Sequence, residues 1–147
     1  MMILQDIANW ILSRSGIGWQ QGIDFFVGAL PTEDMNHDPV GERCMVLLER
    51  TPGAVEGQLP DRVDKAVQVW NRSRDYVEAH DDAWEIYELL HGDGGFELPP
   101  EETGRVWYVM TVDALGTPAP IANPNPRGLF EFSTNFIFRI EGEPPTP

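Results

Sequence analysis

Four serines, three histidines and an excess of carboxylates are the raw material for acid–base or nucleophilic chemistry in this sequence. A nucleophilic serine needs a base within reach and a tight turn that presents it. Ser13, Ser15, Ser73 and Ser133 lie in no Gly-x-Ser-x-Gly context. Paired carboxylates do acid–base work when they converge on one bond. Glu131 and Glu141 share the polar face of one predicted strand but stand ten residues apart, and Glu101-Glu102 reads as a solvated loop pair. Asp34, His37 and Asp38 crowd one acidic loop, yet their spacing fits neither a zinc site nor a calcium loop. His80 falls near a helical apolar stripe, and His91 in the last turn of the same helix, where a histidine suits the carbonyl end. The single cysteine, Cys44, excludes an internal disulfide or a multi-cysteine metal site and reads as a small buried hydrophobe. The glycines of 16–22 precede neither a basic residue nor a helix, so they cradle no phosphate. An enzyme is not expected, nor a catalytic residue, a cofactor or a bound metal.

The elements that carry these residues follow from hydrophobic period. The clearest is 128–141, where Phe130, Phe132, Thr134, Phe136, Phe138 and Ile140 alternate with Glu131, Ser133, Asn135, Ile137, Arg139 and Glu141. Alternation at two residues is a strand with one apolar and one wet face. At about 3.3 Å per residue it spans ~40 Å, so it must bend, bulge or run past its own sheet and offer an edge to a neighbour. Ile3 to Ser15 reads as an amphipathic helix capped by Gly16. Three strands follow, at 23–30, 43–50 and 65–71. Ser73 then caps a helix over about 74–91, with Tyr76, His80, Ala83, Tyr87 and Leu90 as its apolar stripe. A strand at 105–114 precedes the proline-bearing loop 115–127. The predicted fold is α+β and two-layered, a mixed, mostly antiparallel sheet with two helices on one face. Its order is helix, three strands, helix, two strands. One domain is expected over 1–142, followed by a Pro-rich tail at 143–147.

The chain has 147 residues and a net charge of −14, with Lys65 its one lysine. Nucleic acid affinity comes mainly from neutralised phosphates, so this balance argues against a nucleic-acid-binding module. No signal peptide or membrane span is evident, and a soluble protein made in a reducing compartment is expected. The second faces of the strands carry Met45, Leu47, Trp70, Trp107, Val109 and Ile137. With helices on one face only, these residues form an exposed apolar patch of the kind that marks protein contacts. The alternative is that loops 31–42, 51–64 and 113–127 fold over that face.

Several stretches together resemble phage minor capsid or tail-terminator proteins. They are the N-terminal amphipathic helix with Ile23-Asp24-Phe25-Phe26-Val27-Gly28-Ala29-Leu30-Pro31, and the strand 67–73 running into the helix that holds 83–92. The last is Pro118-Ala119-Pro120 leading to Arg127-Gly128-Leu129-Phe130 and the final aromatic strand. The resemblance covers most of the chain and its motifs are structural. It implies a virion protein at the head–tail junction, made in the host bacterial cytoplasm. Such a protein forms a ring, commonly a hexamer, that caps the tail tube and mates it to the head connector. DNA would pass without specific binding, and no membrane is involved. The contact candidates are Trp70, Trp107, Ile137, Arg139, Pro120 and Pro124. The other reading of the same acidity is an inhibitor or immunity-type protein that blocks a basic target.

Overall fold

A computed structural model describes residues 3–50, 62–98, 107–121 and 124–142. The expected tail at 143–147, Glu101-Glu102 and most of the 51–64 connector lie outside the described residues. Helices α1 (Ile3–Arg14) and α2 (Tyr76–Leu90) accompany strands β1 (Phe25–Val27), β2 (Cys44–Glu49) and β3 (Arg62–Ser73). Four more strands follow α2: β4 (Phe96–Glu97), β5 (Trp107–Ala114), β6 (Ala119–Ile121) and β7 (Phe130–Gly142). They form one sheet ordered β1-β2-β3-β7-β5-β4, with β6 also on β7. Among the named strands of the described residues, β1 and β2 pair in parallel and the other pairings are antiparallel. Both helices pack on one face, which makes the two-layer α+β architecture. The short strands β4 and β6 come in addition to the five read from the sequence. Pro120 sits comfortably in β6, a three-residue strand paired on one side, where its missing N–H is not demanded.

β7 is the central strand. It pairs with β3 from Arg62↔Glu141 to Ser73↔Phe130. Its other edge is taken by β5 from Gly142 to Phe136 and by β6 from Ser133 to Glu131. The expectation that β7 lends an edge to a neighbour is therefore corrected: both its edges are occupied. β3, 12 residues against the 13 of β7, absorbs its length. Phe132, Thr134, Phe136, Phe138 and Ile140 are all buried, as the alternation requires.

The main core lies between the helices and this face of the sheet. Ile7, Ile11, Ile86 and Leu90 meet Phe25, Val69, Phe136 and Phe138 there. Met45, Leu47, Trp107 and Val109 belong to this core and not to the opposite face. On β2 the reason is register: Leu47 lies opposite Val69 and Met45 opposite Asn71, and opposed residues share a face. β2 is apolar on both faces, so its pattern holds no parity signal. On β5 the reason is a bulge between Val109 and Thr111. One extra residue flips the alternation, so Trp107, Val109 and Val112 all point to the helices.

Local chemistry adjusts the helix ends. The N-cap of α2 is Asp75, whose side chain accepts from the Val77 amide, and not Ser73. The Ser73 hydroxyl instead accepts from the Asp75 amide and donates to Glu78. After α1 the left-handed residue is Gly18, and not Gly16. α2 buries Ala79, Asp82, Ala83, Ile86 and Leu90. The buried face is therefore rotated from the predicted stripe, and Asp82, carried inward with Ala79 and Ile86, takes a two-pronged ion pair from Arg43 at 2.8 and 2.9 Å. Burial raises the pKa of the Asp82 carboxyl and the Arg43 fork opposes that rise.

Candidate assembly surface

The face of the sheet away from the helices is built from the alternate residues of three strands. β2 contributes Cys44, Val46 and Leu48, and β3 contributes Gln68, Trp70 and Arg72. β7 adds Ser133, Asn135, Ile137 and Arg139, with Ser133 opposite Trp70 and Ile137 opposite Ala66. The loop after β1 closes one corner of this face. Val40 packs on Phe26, Cys44 and Val46, and the Arg72 guanidinium donates to the Gly41 carbonyl at 3.1 Å. Beside that corner lies a shallow apolar groove of about 180 Å³ lined by Leu30, Val46, Leu48 and Trp70. The Arg72 guanidinium stands 5.8 Å from the Trp70 ring centre. The loop 31–42 thus covers part of the face, and the groove stays open among the described residues.

The six contact candidates separate. Trp70, Ile137 and Arg139 share this face. Trp70 lines the groove. Ile137 is half-buried between Ala66 of β3 and Asp113 of β5. Arg139 is paired with Asp113. Trp107 is only 8% exposed and belongs to the main core. Pro120 is exposed opposite Phe132, on the parity of the helix side, and Pro124 is exposed in the turn that enters β7. Leu30 and Leu48 line the groove although neither stands among the contact candidates that the sequence offers. Leu48 carries the same apolar type as its buried neighbours on β2, and only the register of β2 on β3 tells them apart.

The ionisable groups of this region hold the fold. Burial pushes the Cys44 thiol up to about 11. Lys65 contacts Glu49, and burial lowers its ammonium pKa. Asp34 accepts from the Asn36 and Asp38 amides at 2.8 and 3.1 Å, so the Asp/His loop braces itself with the carboxylate that a metal would need. The His91 Nδ1 accepts from the Ala114 amide. Among the described residues no three His, Cys, Asp or Glu side chains are grouped to hold a metal, and no helix is long and apolar enough to cross a membrane. The lining of this groove is apolar and suits apolar side chains. Burying one the size of leucine or valine gives about 1.5–3 kcal/mol, so several contacts together make an interface.

Comparison with known proteins adds the identity that the geometry alone does not carry. No curated protein shows significant sequence similarity to the chain. The family described as bacteriophage tail terminator protein matches residues 3–141, from the start of α1 to the penultimate residue of β7. On that match the chain belongs to the bacteriophage tail terminator family and is a structural virion protein of the tail and neck, joining the tail to the head connector.

Proposed function

We propose that the chain does this work as a closed ring, six copies round, that caps the tail tube and seats it against the head connector. Neighbouring copies meet through the outer face of the sheet. The observation that supports this reading is the open apolar groove at Leu30, Val46, Leu48 and Trp70 on a face that the helices leave bare. A ring needs a heterologous contact, in which one patch meets a different patch on the next copy until the circle closes. A groove on one side of a subunit suits that geometry. The surplus of carboxylates, 24 against 10 basic side chains, suits a conduit that DNA crosses without sticking. The inhibitor reading of the same acidity has no comparable support.

Trp70→Asp and Ile137→Asp test the contact. Both residues are half-buried on the outer face, so each variant is expected to stay folded by circular dichroism and to lose ring mass in size-exclusion chromatography with light scattering. The wild-type chain should give the mass of six copies, alone or on isolated tail tubes. A wild-type chain that stays monomeric on tubes, or variants that keep the full ring mass, would overturn the proposal.

A further inference from the structure

We infer that the groove at Leu30, Val46, Leu48 and Trp70 receives the segment Glu143-Pro144-Pro145-Thr146-Pro147 of the next copy round the ring. The inference rests on the ring reading above, and it names the part of a second copy that fills the groove.

The lining suits proline. Val46 and Trp70 stand opposite one another on β2 and β3, Leu48 follows on the same face of β2, and Leu30 comes from the loop after β1. Val46 is buried, Trp70 and Leu48 are half-buried, and Leu30 is 37% exposed. Aromatic-lined grooves take proline-rich segments, whose rings lie against indole and aliphatic side chains. The sequence after Gly142 has three prolines in five residues. Proline fixes φ near −65°, so such a sequence favours an extended conformation and gives up little freedom on binding. It carries one charged side chain, Glu143, ahead of the prolines. On a chain of −14, this is a stretch that another acidic copy receives with little repulsion.

Reach assigns the segment to a neighbour. Glu141 lies opposite Arg62 in the β3–β7 ladder, and Gly142 is one residue further on. Trp70 is eight residues from Arg62 along β3, about 26 Å at ~3.3 Å per residue. Leu48 is the nearest of the strand residues in the lining. It stands opposite Gln68, about 20 Å along the sheet from Arg62 and two strands across from β7. Five residues fully extended cover at most about 18 Å. Residues 143–147 therefore fall short of the groove on their own copy. Gly142 and the groove lie towards opposite ends of the sheet, which is the arrangement a heterologous contact needs. Each copy offers a segment at one end and a groove at the other, and the same contact repeats until the ring closes.

The test puts Leu30→Cys and Pro145→Cys together in the full chain, under conditions where wild type forms the ring, alone or on isolated tail tubes. The native Cys44 is fully buried and stays out of the reaction. Mild oxidation should give a covalent ladder up to the full ring on a non-reducing gel, and neither single variant should pass the dimer. Removing residues 143–147 should leave the circular dichroism unchanged. It should raise the concentration at which half of the chain is in rings about tenfold or more. A double variant that keeps its ring mass and forms no cross-link overturns the inference and leaves the ring reading standing. So does a cross-link confined to single copies, and so does a shortened chain that assembles at the wild-type concentration. A wild-type chain that forms no ring, alone or on tubes, removes the ring reading and the inference with it.

Discussion

Cys44 has no exposed surface and lies against Phe26 and Val46 on the outer side of the sheet. Burial raises its thiol from 9.0 to about 11, and the nearby Arg72 opposes that rise. The linkage has a definite sign. An unfolded chain releases this proton near 9.0, whereas the folded chain keeps it to about 11. The thiol's contribution is therefore fully present below pH 9 and is lost as pH rises through that window, by about 2–3 kcal/mol at most. Urea unfolding at pH 8 and at pH 11 should show it as the difference between wild type and Cys44→Ala. The wild type should lose more stability over that interval than the variant. Equal losses would mean that the thiol titrates at its ordinary value. The same burial should keep Cys44 unreactive to iodoacetamide at pH 8 until denaturant opens the sheet.

At the scale of elements, the short turn after α2 stitches the helix to the bulged strand. The Gly92 amide donates to the Val112 carbonyl, the Val112 amide to Asp93 and the Gly95 amide to Val109, all at 2.8 to 2.9 Å. Gly94 faces the bulge so closely that a Cβ there would lie 2.2 Å from the Met110 carbonyl oxygen. That oxygen is backbone, so it cannot swing away as a side-chain end would. Gly94→Ala should cost about 1–3 kcal/mol, seen as a lower urea midpoint at unchanged slope; an unchanged midpoint would show that the bulge is soft. This junction also marks where the sequence stops being legible. β7 is readable because phenylalanines alternate with polar residues, and contrast between faces is what a period reports. β2 has Cys44, Val46 and Leu48 on one face and Met45 and Leu47 on the other, so only pairing with β3 settles which set is core. The bulge at Met110 leaves no signature of its own, and it sends Trp107 into the core instead of onto the contact face. The partner that lets α2 bury Asp82 is Arg43, 39 residues away in the chain, which no local window contains.

For the whole molecule, the charge imbalance works against the contact proposed between copies. Each copy carries −14, so copies approaching one another repel, and the contact proposed between them is an apolar groove with few charges to gain. Added salt shortens the screening length from about 10 Å at 0.1 M to about 3 Å at 1 M, which relieves repulsion and leaves apolar burial intact. Ring formation should therefore rise with sodium chloride. Light scattering of the isolated chain, followed from about 0.05 to about 0.5 M salt, should show the ring fraction rising. A ring that falls apart as salt rises would mean that copies meet through ion pairs, and the apolar outer face would then lose its role as the contact between them.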